Sequence, residues 1–217
     1  MVSEYRFLLG QICSGKSVLR SLLNWELRLK TLGGTVIDIG GGKNADYLSF
    51  MQRADDVSFK TFDVKAGDQG VDFEQDKLPA VDGAYDTVLF LNVMEHIFNY
   101  QHIASEVVRI VSPGGALIGF VPFLMWYHPD HHDFFRYTDE ALYKIFAKTN
   151  VKDFKVMPVA RGPFLASLHI RFFSYPRILR PVLFSIAFLL DSIYLKLKVR
   201  NGGSSRYVLG YLFLGSK

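Results

Sequence analysis

A chain of 217 residues and 24.7 kDa fits one compact domain, and its 49% apolar and 21% charged residues exclude a disordered or collagen-like polymer. The formal charge of +4 is unevenly held, since residues 161–206 carry eight Lys or Arg and one acid, Asp191, a net of +7, whereas residues 1–160 sum to −4. That excludes a uniformly basic nucleic-acid binder and confines any attraction for anions to the C-terminal part.

The lone Cys13 excludes an internal disulfide and fits a reducing compartment. The first residues carry Glu4 and only a short apolar run, so they do not read as a secretory signal. The longest late apolar run, 182–190, has nine residues, whereas crossing the hydrocarbon core takes about 20. The expectation is a cytoplasmic protein, or one held at a membrane surface.

In chain order, residues 14–32 place Val18, Leu19, Leu22, Leu23 and Leu27 among Lys16, Arg20, Arg28 and Lys30, a helical spacing that Gly33 and Gly34 stop. Residues 35–39, Thr-Val-Ile-Asp-Ile, are rich in β-branched side chains and read as a buried strand. Further strands are expected at 58–62, 87–91, 116–121, 154–157 and 207–214, and helices at 44–51, 100–110 and 139–148. Thr138 is the expected N-cap of the last of these, followed by Asp139 and Glu140 where the helix dipole favours negative charge. Residues 158–206 are too long for a plain connection. They should hold helices of their own, one over 185–197 with Ile186, Leu189, Leu190, Ile193 and Leu197 on a common side.

Strands alternating with helices predict an α/β fold, a Rossmann-like three-layer sandwich around a mostly parallel sheet. Residues 1–217 read as one domain, with 158–206 a helical, basic and aromatic insertion before the last strand.

The first strand runs directly into Gly40-Gly41-Gly42-Lys43-Asn44-Ala45. In a strand–turn–helix setting such glycines allow a tight turn and let a ligand approach backbone N–H groups. Two adenosine-bearing ligands compete for it. Gly40, Gly42 and Ala45 satisfy the dinucleotide pattern, and Asp63 follows the next strand, where its two oxygens could accept from both ribose hydroxyls. NAD and S-adenosylmethionine both remain open at this turn.

The order Val36-Ile37-Asp38-Ile39-Gly40-Gly41-Gly42, Phe62-Asp63, Val71-Asp72-Phe73, Tyr85 to Asn92-Val93-Met94-Glu95-His96 and Pro113-Gly114-Gly115 resembles the class I S-adenosylmethionine-dependent methyltransferases over about residues 30–160. The resemblance implies a roughly seven-stranded sheet whose last strand is antiparallel, and S-adenosylmethionine as cofactor. It implies that Asp38, Gly40 and Gly42 surround the methionine end, Asp63 holds the ribose, Asp72 and Phe73 meet the adenine, and Asn92 and Val93 line the pocket. Where the family often has another glycine, this chain has Asn44, which tolerates left-handed backbone better than most residues.

Residues 121–138 follow the presumed fifth strand, where substrate-binding loops lie in open sheets. They resemble a subset of these methyltransferases with a P-F…H-P…D-F…R-Y-T pattern. His128 or His131 could act as general base, because imidazole titrates near neutral pH. His96, just beyond the fourth strand, is a third candidate. His128, His131 and His132 with Asp130 and Asp133 could instead be metal ligands, or Asp133 and Arg136 could simply pair under packed rings. Neighbouring His131 and His132 cannot easily aim at one ion, so no metal site is assigned.

The expected function is methyl transfer to a small-molecule, saccharide or lipid-associated acceptor. The alternatives are an NAD-dependent oxidoreductase, or a protein that binds the cofactor without catalysis. Large apolar side chains beside arginines in 163–181 fit burial against the sheet, a lid, a subunit contact, or an interfacial helix on an anionic membrane surface. Nucleic acid ranks below these because no recognised RNA-binding motif is present. Oligomeric state is left open.

Overall fold

The computed structural model describes residues 2–42, 45–62, 71–129, 132–197 and 206–217. The helices are α1 (Val2–Cys13), α2 (Val18–Leu27), α3 (Tyr100–Arg109), α4 (Asp139–Phe146), α5 (Pro163–Arg171) and α6 (Arg180–Leu197). The strands are β1 (Thr31–Leu32), β2 (Thr35–Ile39), β3 (Gln52–Arg53), β4 (Ser58–Phe62), β5 (Tyr85–Leu91), β6 (Val111–Pro122), β7 (Lys152–Ala160) and β8 (Val208–Ser216).

Among the described residues the main sheet has six strands in the order β4-β2-β5-β6-β8-β7, and β1 pairs with β3 in a separate two-stranded parallel ribbon. The β2–β4, β2–β5 and β5–β6 pairs are parallel, so the expected Rossmann-like α/β sandwich is present, with α6 before the last strand. Because β2 and β5 are central, their residues are buried almost throughout, and both read as continuous apolar runs rather than alternating ones.

One carboxylate fastens the starts of three neighbouring strands. Asp86 of β5 accepts from the Thr35 backbone N–H and hydroxyl at the head of β2, both at 2.8 Å, and from the Ser112 hydroxyl of β6 at 2.9 Å. Those bonds favour the ionised form and hold its carboxyl below the usual range. Gly119 of β6 lies so close to the Phe213 ring of the neighbouring β8 that no Cβ would fit.

The helix expected over 14–32 is present but shorter, as α2 over 18–27. Gly15 adopts φ +89°, Ser17 caps α2 by accepting from the Arg20 N–H, and residues 31–32 go extended to pair with β3. The preceding segment, left unassigned by sequence, is α1. The helix expected over 44–51 is reduced to a 3-10 turn over Asp46–Ser49, with Asn44 itself outside the described residues. Thr138 caps α4 as expected, its hydroxyl accepting from the Ala141 N–H at 3.2 Å.

The chain forms two compact units. The larger comprises 30–123, 127–157 and 211–217 and holds most of the sheet with α3 and α4. Its core includes Phe90, Phe120, Phe146 and Phe213, all fully buried. The smaller comprises 1–29, 124–126 and 158–210, in which α1, α2, α5 and α6 pack on one another around Leu8, Leu23, Phe172 and Phe184. There Arg161 pairs with Glu4 and lies over the Phe188 ring, 3.7 Å from its centroid. A buried acid on α6, Asp191, accepts from the Phe164 and Leu165 N–H groups at 2.9 and 3.0 Å. It supplies the N-terminal cap that Gly162, having no side chain, cannot give to α5.

Candidate active site

The carboxyl ends of β2 and β5 lie side by side, with Ile39 paired to Phe90, and the sequence-predicted cofactor residues of both strands meet there. The turn after β2 needs glycine. Gly40 and Gly42 have φ of +78° and +58°, and a Cβ on Gly40 would run into the Val93 side chain. The Gly40 N–H donates to Phe62 O at 2.7 Å, which pins the turn to the end of β4.

Asp38 is fully buried under this turn, so close that a Cβ on Gly41 would strike its carboxylate. Tyr47 donates a short hydrogen bond to Oδ2, while Oδ1 has no partner among the described residues. Burial, opposed by the Tyr47 bond, raises the carboxyl to about 6. A buried acceptor atom without a donor is costly. It marks a place where a ligand donor would fit.

On β5 the turn into the next element is made by Asn92, a non-glycine residue at φ +56°, whose N–H donates to Phe120 O at 2.9 Å. Phe73 stacks on Phe62 with centroids 5.7 Å apart, placing a flat apolar pair at the end of β4. The Asp72 carboxylate is exposed and already accepts from the Glu74 N–H and the Gln75 amide, so it also braces its own loop. Asp63 and His131, two further sequence candidates, lie outside the described residues.

Val93, the residue under Gly40, leads into a 3-10 turn, Met94–His96, that carries two ionisable groups toward the segment after β6. His96 and His128 meet edge to face, ring centroids 5.4 Å apart at 75°. His96 Nδ1 lies 2.5 Å from the His132 carbonyl oxygen, which can only accept, so Nδ1 carries a proton. In the neutral ring Nε2 then holds the lone pair, and it lies 3.8 Å from Glu95 Oε1.

Glu95 was missed by the sequence reading. Its side chain is fully buried, neither oxygen has a hydrogen-bond donor among the described residues, and burial pushes its carboxyl up to about 8. The segment that buries it is held by bonds to backbone carbonyls: Phe134 N–H donates to Glu95 O at 2.9 Å, and the Tyr137 hydroxyl donates to Met94 O at 3.3 Å. The sequence signal was only an acid directly after an apolar strand, which says nothing about what covers it.

His128 is oriented by a different carboxylate. Asp133 accepts from the His128 backbone N–H at 3.0 Å and lies 3.6 Å from its Nδ1. Arg136 grips both oxygens of Asp133 at 2.5 and 2.7 Å and holds its carboxyl down at about 2. The expected Asp133–Arg136 pair therefore exists, and it also fixes the loop that presents His128. One ligand atom each from Glu95, His96 and His128 lies within 4.8 Å of the others, a donor set of the kind zinc takes.

Parallel strand pairs, a glycine turn at the end of the first central strand, and a buried acid beneath that turn together define a Rossmann-like cofactor-binding architecture. The chain's residues 15–174 match a family model described as "Methyltransferase domain", and the chain belongs to that family, within the class I S-adenosylmethionine-dependent superfamily. An "Uncharacterized methyltransferase" of Mycobacterium sp. (strain JLS) is 26% identical over 147 residues, covering 59% of this chain and 57% of that protein. The chain thus spans a little over half the length of the curated relatives it matches.

Among solved structures, a SAM-dependent methyltransferase from Archaeoglobus fulgidus aligns over 98% of this chain and 100% of its own, with TM-score 0.55 and 15% identity. Phosphoethanolamine N-methyltransferase 2 of Haemonchus contortus, in complex with S-adenosyl-L-methionine, aligns over 90% of this chain and 52% of its own, with TM-score 0.51 and 14% identity. These likenesses show the fold.

Proposed function

We propose that residues 1–217 act as one methyltransferase-like domain, carrying the 158–206 insertion, and transfer a methyl group from S-adenosylmethionine to a small-molecule acceptor. Bound S-adenosylmethionine supplies an electrophilic methyl carbon on a sulfonium, with adenosylhomocysteine as the leaving group. Asp38, Gly40 and Gly42 hold its methionine end, Asp63 the ribose, Asp72 and Phe73 the adenine, and Asn92 and Val93 the adjoining wall. The Asp38 Oδ1, with no donor among the described residues, beneath a turn with no room for side chains at Gly40 and Gly41, is the observation that carries this reading.

Because the methyl donor is already activated, the chain's residues mainly align the acceptor's lone pair and exclude water. For a protonated nucleophile a base is needed as well. His128, aimed by Asp133 and touching His96, would take that proton; His131, three residues on, is the alternative, and His96 Nε2 lies 3.8 Å from the buried Glu95 carboxyl behind it. The imidazolium formed at His128 would face the ionised Asp133 carboxylate.

The acceptor is a small molecule, a saccharide or a lipid-associated compound, and a lipid-associated one would be met at an anionic membrane surface. Titration calorimetry with S-adenosylmethionine and with NAD, followed by an acceptor panel scored by adenosylhomocysteine release, tests the reading. Binding of S-adenosylmethionine and turnover insensitive to a chelator are expected. Affinity for NAD with none for S-adenosylmethionine would overturn it. His128→Asn should lower kcat by about 10²–10⁴-fold and leave cofactor affinity unchanged.

A further inference from the structure

Helix α6 buries one apolar face and leaves a second one in solvent. Phe184, Ala187, Phe188 and Asp191 face inward, toward α1 and α5. Val182, Ile186, Leu189, Ile193 and Leu197, spaced by three or four residues, are exposed along the whole opposite stripe, Leu189 to 60% and Leu197 to 79%. Ile178, in the turn before the helix, is 82% exposed and extends the stripe. Isolated exposed apolar residues are ordinary, whereas a continuous row over five helical turns marks a surface that is covered in use.

The exposed charge of the segment that carries this stripe has one sign. The only acid between residues 161 and 206 is Asp191, and it is fully buried, its oxygens taken by the first N–H groups of α5. Not every base is free to meet a partner. Arg161 is tied to Glu4, and Arg180 donates to Tyr175 O while lying over the Phe172 and Phe173 rings. Arg171, Arg177, Lys196 and Arg206 are exposed, with no exposed carboxylate of the segment among the described residues to oppose them.

No helix among the described residues is long and apolar enough to cross a membrane. We propose that the outer stripe of α6, together with the turn at Ile178, docks on an anionic lipid bilayer. The aliphatic side chains enter the boundary between headgroups and acyl chains, and Arg171, Arg177 and Lys196 meet the lipid phosphates. A second copy of the chain would bring the same positive charges to the same face and repel; an anionic bilayer neutralises them. An apolar groove of about 500 Å³ beside the stripe, walled by Tyr5, Phe188, Leu189 and Ile193 with Lys196 on its lining, gives a lipid chain somewhere to go. Docking stands on this surface alone; only the idea that the acceptor is met there rests on the methyl-transfer reading.

The test is co-sedimentation of the full chain, without cofactor or acceptor, with phosphatidylcholine vesicles and with vesicles containing about one third phosphatidylglycerol. Binding is expected to the anionic vesicles, to weaken at least tenfold between 50 and about 500 mM salt, and to be at least tenfold weaker on neutral ones. Ile178→Glu/Ile186→Glu and, separately, Arg171→Glu/Arg177→Glu should each abolish it without changing the thermal midpoint, because these side chains are exposed. No association with anionic vesicles, or association unaffected by both double variants, would overturn the proposal. So would a dimer in sedimentation velocity that the Ile178→Glu/Ile186→Glu variant dissociates, because the face would then belong to a second copy. Absence of turnover in the acceptor panel leaves vesicle binding untouched, so the two readings fail separately.

Discussion

Glu95 makes folding stability depend on pH in an unusual direction. In the folded chain its carboxyl is raised from 4.5 to about 8, chiefly by burial, with its own backbone and Arg136 opposing and Asp133 adding. Between those values the folded state keeps a proton that the unfolded state has released, so stability is fully present below about pH 4.5 and declines as pH rises through 8. Each unit crossed costs up to about 1.4 kcal/mol, so about 3 kcal/mol is lost by pH 7 and about 4 by pH 8. Glu95→Gln keeps the shape and removes the titration. Leaving a buried amide short of partners adds a cost of roughly 1–3 kcal/mol that does not vary with pH. Urea unfolding of both proteins at pH 5, 6, 7 and 8 reads the difference. The variant should gain on the parent by roughly 1 kcal/mol per unit above pH 5. Parallel stability curves for the two proteins would refute the argument, since the offset alone carries no information about the proton.

Three other outcomes follow from the same geometry. Gly40→Ala puts a Cβ against Val93 on a backbone at φ +78°, so it should cost about 1–3 kcal/mol and weaken S-adenosylmethionine binding at least tenfold by calorimetry. Asp133→Asn breaks the clamp by Arg136 and should destabilise by about 3 kcal/mol in urea. Because the Asp133 carboxyl is held down at about 2, its contribution is present above pH 3.8 and lost as pH falls toward 2, so the parent and variant curves should converge in that acid window. Asp191→Ala removes the acceptor for two N–H groups of α5 and should cost about 1–2 kcal/mol, with amide exchange accelerated at Phe164 and Leu165.

Much of the larger unit was legible in sequence because its signals are local. The β-branched run at 35–39, the glycines that adopt positive φ and the Thr138 cap each depend on a few neighbouring residues, and all were found where expected. The overextended C-terminal end of the helix expected over 14–32 has the opposite cause. A helical spacing continues through Leu27 into Leu29 and Leu32, but residues 31–32 pair with 52–53, a partner that no local window contains. Likewise the six-residue turn Gly40–Ala45 could not reveal that Gly40 needs room because Val93, from just beyond β5, lies beneath it.

The acidic residues divide the two kinds of information most clearly. The amino-acid order by itself determined the strand–turn–helix grammar, the glycine turn after β2, the histidines beyond β5 and β6, and the concentration of positive charge after residue 160. Tertiary structure decided that Glu95 is sealed beside His96, that Asp133 belongs to both Arg136 and His128, and that Asp191 caps α5 rather than facing solvent from α6. Backbone preference is settled within a few residues of chain. Burial and the partner of a charge are settled by whichever distant segment packs against it, and the free energy of an ionised group depends on those two far more than on its neighbours in sequence.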